Sequence, residues 1–507
     1  MISHLVLMSA HLLEWVVPRV TGRFRVARSL THSRFFQPAL ARAGRLRARA
    51  VYLKAVKSCP AYRDFVGEEG ERAGRGRWRM SSLPVTSKDD YVKRYGIDAR
   101  CYGGRIPSGA VLDESAGSTG PPCNWVRSVD DREYQRRVTH SIFKYRYGLE
   151  GGFVLNCVAL GTWAVGVALS MSAAGLTLLK SVGPNAQKLE DTLVEFGKGY
   201  RYLLFAYAPF AKHFVNRTRL ELGGYDLSLV VLGEPLSEPL RDFLLGHFKT
   251  VISAFGATDL DPSMAGETRL TIALRRMCAA DPRLSLELFG RETPPMIFQY
   301  DPFEYVVETT EEGQLLFTVA RLRSAAPKIR YNLHDLGGTM TFAELAERLA
   351  ARGVEISRLA AQHSALPILY VHGRDDYSVS VCGVDLRPTH VEQIICAHPE
   401  MVRAVNSFCL MSYEDERVDQ RVKICLELTD ERDALLPPPV ELRGLFFEAL
   451  TRFNPDFRTT LEFANGAGFE VECYESGTGP FAESGRAKNL YIRRVAKSAS
   501  ADERRES

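Results

Sequence analysis

The stretch Asp226–Phe255 reads DLSLVVLGEPLSEPLRDFLLGHFKTVISAF. Its two ends, Asp226–Leu232 and Val251–Phe255, are short apolar runs of the kind that form buried strands. The segment between them, Leu236–Thr250, has the length and the apolar spacing of a helix. A strand, a helix and a second strand in this order predict one crossover unit of a parallel sheet.

The same alternation precedes this stretch. We predict a buried strand at Phe153–Leu160, an amphipathic helix at Asn185–Phe196 and a strand at Tyr202–Tyr207. Farther along, the extended segments Tyr305–Thr309 and Gln314–Val319 predict a smaller β-rich subdomain. The sequence therefore predicts the α/β class, with a large N-terminal body of several subdomains and mixed sheets.

A polar, turn-prone break, Gly373–Asp376, separates this body from a smaller α+β domain. Beyond the break we predict helices at Val391–Ala397 and Pro439–Arg452, and strands at Val402–Met411 and Gln420–Leu428. The chain is thus divided into a basic helical arm at 1–50, the N-terminal body at 51–373, the C-terminal domain at 374–495 and a disordered tail at 496–507.

Composition excludes several classes of protein. The chain has 507 residues, 45% of them hydrophobic and 25% charged, and these values are close to globular averages. They exclude a wholly disordered, a collagen-like and a multi-span membrane protein. Ten cysteines without a C-x-x-C pair predict reduced thiols in a cytoplasmic protein and give no sign of a zinc site.

The first 50 residues are strongly basic, because they contain nine arginines and a single acid, Glu14. No nucleic-acid-binding motif accompanies this charge, so we expect no nucleic-acid partner. Apolar residues recur at helical spacing at Leu5, Met8, Leu12, Leu13 and Val16. Two interpretations stay open: a helix that contacts the surface of a membrane beside anionic lipid, and a helix packed on the main body with a solvated basic face.

Glycines and hydroxyl side chains are concentrated at Asp113–Cys123, which reads DESAGSTGPPC and follows a predicted strand. Backbone N–H groups at glycines, together with Ser and Thr hydroxyls, can hold the phosphates of a nucleotide. The spacing of a Walker P-loop is absent. An ordinary Ser/Gly turn is the alternative.

Five motifs in a fixed order resemble the adenylate-forming superfamily, in particular its phenylacetate-coenzyme A ligase-like branch. They are SAGSTGPPC at Ser115–Cys123, FGATD at Phe255–Asp259, IRYNLHD at Ile329–Asp335, GRDD at Gly373–Asp376 followed by GVDLRP at Gly383–Pro388, and SGRAKN at Ser484–Asn489. The resemblance covers about residues 55–495 and leaves out the arginine-rich arm.

The resemblance implies ATP, Mg²⁺ and coenzyme A as cofactors. It assigns the nucleotide to Ser115, Gly117, Ser118, Thr119, Gly120, Gly233, Glu234, Phe255, Gly256, Thr258, Asp335 and Arg374. Within this set Phe255 stacks on adenine, while Asp335 and Arg374 hold the ribose. Asp259 holds the metal, because a hard cation prefers carboxylate oxygen. Asp376 is the hinge about which a mobile C-terminal domain rotates.

Two residues depart from the pattern of the family. Pro121 stands where the phosphate loop usually has lysine, and Arg486 stands where the final motif has its catalytic lysine. An arginine keeps the charge but is planar and forked, so it does not reproduce the geometry of an ammonium group. Catalysis by Lys488, catalysis by Arg486, and impaired adenylation all stay open.

The resemblance implies a ligase that converts a carboxylic acid and ATP to an acyl-adenylate and pyrophosphate, and then transfers the acyl group to a thiol, most simply that of coenzyme A. Apolar stretches at Asn156–Trp163 and Tyr207–Phe210 favour an aryl or an aliphatic acid. Two alternatives remain: transfer to an amine, a hydroxyl or a carrier protein, and a degenerate nucleotide-binding homologue without catalysis.

Overall fold

A computed structural model gives the fold of the chain. It describes residues 2–23, 32–73, 78–114, 123–143, 152–160, 164–233, 235–356, 364–374, 379–381, 384–386, 388–414, 420–428, 436–453, 457, 469–475, 477–481 and 492–494.

The helices are α1 (Ile2–Arg23), α2 (Gln37–Ser58), α3 (Pro60–Ala73), α4 (Val129–Ile142), α5 (Ala164–Ala173), α6 (Ala186–Phe196), α7 (Ala208–Arg217), α8 (Glu238–Leu245), α9 (Arg269–Ala280), α10 (Pro282–Phe289), α11 (Phe342–Ala351), α12 (Pro388–Cys396), α13 (Pro399–Ala404) and α14 (Pro439–Phe453). The strands are β1 (Val111–Glu114), β2 (Asn124–Arg127), β3 (Phe153–Asn156), β4 (Leu178–Ser181), β5 (Arg201–Ala206), β6 (Asp226–Val231), β7 (Thr250–Phe255), β8 (Ala265–Gly266), β9 (Met296–Tyr300), β10 (Tyr305–Thr309), β11 (Gln314–Val319), β12 (Tyr331–Met340), β13 (Ile368–Arg374), β14 (Val379–Val381), β15 (Val384–Leu386), β16 (Val405–Glu414), β17 (Gln420–Leu428), β18 (Phe469–Tyr474) and β19 (Ile492–Arg494).

One large mixed sheet dominates the described residues, in the order β10-β11-β12-β13-β9-β8-β7-β6-β5-β3-β4. Strands β4, β3, β5, β6 and β7 are parallel neighbours, as the crossover pattern predicts. From β7 to β10 every pairing is antiparallel. The predicted α/β class with a large mixed sheet is confirmed.

The segment after Tyr305 is rich in strands, as predicted, and it is continuous with the large sheet. β10 and β11 have the predicted bounds, but they extend the large sheet through β12, β13, β9 and β8 to β7. Strand pairing depends on residues far apart in the chain, so the local sequence pattern did not reveal that these strands belong to the large sheet.

Several element boundaries differ from the prediction. Helix α8 begins after Ser237, whose side chain accepts a hydrogen bond from the backbone N–H of Leu240, and it ends before Gly246. Strand β3 ends at Asn156. The predicted strand at Val402–Met411 begins as helix α13, because Pro399 favours the first turn of a helix, and β16 follows it.

The C-terminal part has its own sheet, in the order β18-β17-β16-β19. A separate set of buried side chains from α12, α14 and these strands forms its hydrophobic core, in which Leu410, Ile424 and Phe446 are fully buried.

The N-terminal helices α1 and α2 pack on the large body. Val6 and Ala10 of α1 are buried, and α2 runs without a break through residue 50. Glu14 of α1 accepts a hydrogen bond at 3.2 Å from the backbone N–H of Leu322. Of the two interpretations that the sequence left open, a helix packed on the main body is therefore correct for this side of α1.

A row of buried charges connects these helices to the middle of the protein. We call it the buried charge chain, and its members alternate in sign: Glu14, Arg47, Glu304, Arg321, Asp261, Arg127 and Asp113. The Arg47 guanidinium lies 3.9 Å from Glu14 and 3.2 Å from Glu304. Six of the seven, all except Glu14, are at most 6% exposed.

Asp261 lies at the centre of the buried charge chain. Its carboxylate accepts hydrogen bonds from Arg321 and, at 2.8 Å, from the hydroxyl of Tyr305. Burial alone would raise the pKa of Asp261, but Arg321, Lys328 and Arg127 outweigh it and hold this pKa at about 2.

We predict that Asp261→Asn lowers the free energy of unfolding by about 3–5 kcal/mol, because the buried Arg321 would lose its hydrogen-bonded carboxylate and keep only Glu304, at 3.7 Å, as a counterion. The depressed pKa means that the contribution of Asp261 is present above pH about 4 and is lost as the pH falls toward 2. Urea unfolding should therefore show a smaller difference between variant and wild type at pH 3 than at neutral pH.

Asp242→Asn is the matched control, because this carboxylate is 63% exposed in its ion pair with Arg276. We expect it to cost less than about 1 kcal/mol. Equal losses in the two variants would contradict the role given to the buried charge chain.

Candidate active site

The hairpin β1–β2 flanks residues 115–122, the predicted phosphate loop, with Glu114 paired to Asn124. Arg127 of β2 donates a hydrogen bond to Asp113 of β1 at 2.8 Å. Its two terminal nitrogens donate to the backbone carbonyls of Thr258 and Leu260. One buried guanidinium therefore fastens the hairpin to the segment that follows β7.

That segment, residues 256–264, which we call the β7 loop, contains the predicted Gly256, Thr258 and Asp259. It turns back on itself, since the N–H of Met264 donates to the carbonyl of Phe255 at 2.8 Å. A Cβ on Gly256 would lie 2.2 Å from the backbone oxygen of Pro262, a distance that real Cβ atoms do not show. Glycine is required here by close backbone approach.

The predicted metal ligand Asp259 is buried and has two polar neighbours. The hydroxyl of Tyr331, in β12, donates to its carboxylate at 2.7 Å, and the ammonium of Lys88 lies 3.7 Å from the same oxygen. Burial and the negative charge of Asp259 raise the pKa of Tyr331 well above its ordinary value, so this hydroxyl remains a donor.

Lys88 is a site residue that the sequence reasoning missed. It begins a short helical turn, Lys88–Val92, which is capped by Ser87. The preceding Thr86 pairs with Tyr331 as an isolated bridge and exchanges backbone hydrogen bonds with Arg330 and Asn332. The only signal in the sequence is a lysine beside a helix start, and this signal is too common to select it.

The two predicted ribose ligands meet in the large sheet. Asp335 of β12 and Arg374 of β13 are register partners in the antiparallel ladder. Beside Asp335, the backbone of His334 has a φ of 63°, a left-handed conformation that costs energy in a residue other than glycine. Arg330, four residues earlier, has a φ of 46°. Such strain in one short segment is characteristic of functional sites.

The side chain of Phe255 packs against other aromatic rings. Its ring centroid lies 5.7 Å from that of Phe298 and 6.0 Å from that of Phe317, and the side chain is only partly buried. Gly233, after β6, has a φ of 77°, and a Cβ there would lie 3.1 Å from the ring of Tyr207. β6 and β7 are parallel neighbours, so both residues lie at the same edge of the sheet.

Several predicted residues lie outside the described part of the chain. They are Ser115, Gly117, Ser118, Thr119, Gly120, Glu234, Asp376, Arg486 and Lys488, together with Pro121. Their roles stay predictions.

Glu267 and Cys157 have structural environments. Glu267 is fully buried and forms a two-pronged ion pair with Arg241, at 2.6 and 2.9 Å, while it also accepts from the backbone of Ser253. Burial raises the pKa of the Cys157 thiol above its ordinary value, which suppresses the nucleophilic thiolate.

Comparison with solved structures identifies the fold. The chain shares its fold with 2-hydroxyisobutyryl-CoA ligase. One structure of that ligase, in complex with 2-HIB-AMP and CoA in the thioesterification state, gives a TM-score of 0.59 at 14% identity, over 90% of this chain and 89% of that chain. A second, in the postadenylation state with 2-HIB-AMP, gives a TM-score of 0.51 at 14% identity, over 91% and 90%.

A third structure of the ligase, in an open conformation, also gives a TM-score of 0.51, at 14% identity and over 90% of this chain and 91% of that chain. These values show that the chain shares the fold of this ligase, while the resemblance to the adenylate-forming superfamily and to its phenylacetate-coenzyme A ligase-like branch stays a prediction. A scan against protein-family models and a search of curated proteins found no match.

We predict that Gly256→Ala lowers the free energy of unfolding by about 1–3 kcal/mol, because the backbone at Pro262 must move to admit the methyl group. Gly199→Ala is the control, since a Cβ there meets no atom within 4 Å and should change stability by less than about 1 kcal/mol. Denaturant unfolding of both variants checks this, and equal stability would contradict the close approach.

Proposed function

We propose that this chain activates a carboxylic acid with ATP, giving an acyl-adenylate and pyrophosphate, and transfers the acyl group to a thiol, that of coenzyme A. The observation that supports this most is the convergence of three distant segments. Arg127 joins the β1–β2 hairpin to the β7 loop, and Tyr331 joins β12 to the same loop. These segments contain three of the five motifs on which the resemblance rests.

The residues present fit a nucleotide. The carboxylate of Asp335 can accept hydrogen bonds from two ribose hydroxyls, and Arg374, its partner in the ladder, adds a donor beside it. Arg127 fastens the β1–β2 hairpin to the β7 loop, and in our proposal the hydroxyls and N–H groups of residues 115–122 bind the triphosphate. In our proposal the adenine ring lies at the edge where β6 and β7 end, beside Gly233 and Phe255.

Lys88 supplies a positive charge next to the β7 loop. The phosphate loop lacks its usual lysine because Pro121 occupies that position. The Lys88 ammonium, on a separate segment, lies 3.7 Å from the carboxylate of Asp259, and so beside the place that we propose for the phosphates and their metal. In our proposal Lys88 neutralises part of the triphosphate charge and so compensates for Pro121.

A magnesium ion fits the site with Asp259 as its protein ligand. Mg²⁺ takes most of its ligands from phosphates and water and usually needs only one or two carboxylates. Among the described residues no cluster of three or more acidic, histidine or cysteine side chains could hold a metal. When bound with ATP, the ion would supply charge neutralisation at the phosphates.

The C-terminal part suits the proposed rotation about Asp376. Its hydrophobic core is separate from that of the large body, so it can move as a unit. We propose the boundary at residue 374 on this ground, with Lys488 or Arg486 carried to the reacting oxygens. The apolar walls near Phe210 and Val158, both buried, favour an aryl or aliphatic acid. We expect this chemistry to take place in the cytoplasm.

A degenerate nucleotide-binding homologue is the second candidate. Two observations favour it: Phe255 packs against Phe298 and Phe317, and Asp259 already has Lys88 as a counterion. This candidate predicts that the chain binds ATP but releases no pyrophosphate with any acid.

Pyrophosphate release from purified protein with Mg-ATP distinguishes the two candidates. A panel of aryl and aliphatic acids is offered, with hydroxylamine present to trap the adenylate. Our proposal expects release above the no-acid control for at least one class of acid. Coenzyme A, an amine and a carrier protein then replace hydroxylamine to identify the acceptor. Confirmed ATP binding with no release across the panel would favour the degenerate homologue.

We predict that Asp335→Ala raises the KM for ATP on the order of 10–100-fold, because the ribose hydroxyls lose a charged acceptor. Asp226→Ala is the control, since Asp226 pairs with Lys249 at the start of β6, the end of that strand away from Gly233. Steady-state pyrophosphate release measures both variants. Wild-type KM in Asp335→Ala would refute the ribose assignment.

We predict that Lys88→Met lowers kcat/KM for pyrophosphate release on the order of 10–100-fold, because the phosphates lose a positive neighbour in a partly buried site. Lys93→Met, five residues away, removes a more exposed lysine that pairs with Asp89, and it should leave kcat/KM within about twofold. Equal rates in the two variants would show that Lys88 does not act on the nucleotide.

A further inference from the structure

The outer side of α1 exposes a row of large apolar side chains. Leu5, Met8, Leu12 and Trp15 are 58%, 67%, 62% and 52% exposed, and their spacing of three or four residues places them on one side of the helix. We call these four side chains the α1 outer face. Apolar side chains this exposed and this close together usually mark an interaction surface.

The inner side of the same helix is fixed to the body. Val6 and Ala10 are buried, and the carboxylate of Glu14 is engaged by Arg47 and by the backbone of Leu322. The helix therefore cannot turn its apolar row inward without breaking buried ionic contacts. The α1 outer face is left for a partner outside the described residues.

The surroundings of the α1 outer face are basic. The guanidinium of Arg19 lies 4.7 Å from the ring of Trp15, and that of Arg34 lies 5.0 Å from the ring of Phe35, which is 77% exposed. No acidic residue occurs between Glu14 and Asp64, and Glu14 itself faces the body. The exposed positions of α1 and of residues 32–36 therefore include arginines and histidines but no carboxylate.

We propose that the α1 outer face docks on the surface of an anionic lipid bilayer. Leucine, methionine and tryptophan side chains would enter the boundary between headgroups and acyl chains, while the arginines contact lipid phosphates. In the described part of the chain no helix has the length and apolarity needed to cross a membrane, so the contact would be peripheral.

The side chains of this surface disfavour two other partners, a second copy of the chain and a nucleic acid. A two-fold contact with a second copy would place this arginine-rich surface against itself, and like charges at an interface cost free energy. A nucleic acid would satisfy the arginines but would leave the four apolar side chains without a partner. Anionic lipid satisfies both kinds of side chain. The proposal goes beyond the proposed ligase function and does not depend on it.

Vesicle co-sedimentation of the full chain tests the proposal. The probes are vesicles of pure phosphatidylcholine and of equimolar phosphatidylcholine and phosphatidylglycerol. We expect binding to the second kind only, weakened by added salt because the lipid charge is screened. Leu12→Glu should reduce the partition coefficient by a factor of about ten or more, since an apolar group is replaced by a like charge to the lipid.

Leu286→Glu is the matched control. Leu286 lies on α10 and is 48% exposed, so the same substitution adds the same charge elsewhere. It should bind vesicles as the wild type does. Because both leucines are exposed, both variants should keep the wild-type thermal unfolding transition, which separates lost binding from lost folding.

Three results would overturn the proposal. They are a wild type that does not bind anionic vesicles, equal binding by wild type and Leu12→Glu, and equal losses in Leu12→Glu and Leu286→Glu. Sedimentation velocity adds a fourth: a dimer that Leu12→Glu dissociates would assign the α1 outer face to a second copy of the chain.

Discussion

The buried charge chain from Glu14 to Asp113 is the constraint on which the rest of the structure depends. It passes through α1, α2, the antiparallel half of the sheet, the β7 loop and the phosphate-loop hairpin. Each charge in it is expensive to bury alone and is stabilised only by neighbours of opposite sign. The elements that contribute these charges must therefore take up their relative positions together.

Arg127 shows what this constraint does for the site. Its guanidinium forms an ion pair with Asp113 and donates hydrogen bonds to two backbone carbonyls of the β7 loop. The hairpin and the β7 loop are more than a hundred residues apart in sequence, yet they are joined without a covalent link. The β1–β2 hairpin is thereby fixed to the backbone on either side of Asp259. Rigid support of this kind preorganises a site before a ligand arrives.

The same network explains the two-sided character of α1. Glu14 is the only acid of the first 63 residues, and it is used to fix the helix to the body. Because Glu14 faces the body, the exposed side of α1 has no carboxylate. A single inward-facing carboxylate thus contributes to stability on one side of the helix and defines the chemistry of the other side.

The sequence by itself determined the local elements, the class of fold and the order of the motifs. The alternation in Asp226–Phe255 predicted β6, α8 and β7, and the bounds of β10, β11 and β17 were predicted to the residue, because periodicity is a property of neighbouring residues. Only the tertiary structure joined β10 and β11 to the large sheet, paired Asp335 with Arg374, and brought Lys88 to Asp259. The last two contacts link residues 39 and 171 positions apart, and no local pattern encodes which distant strand or side chain will be the partner.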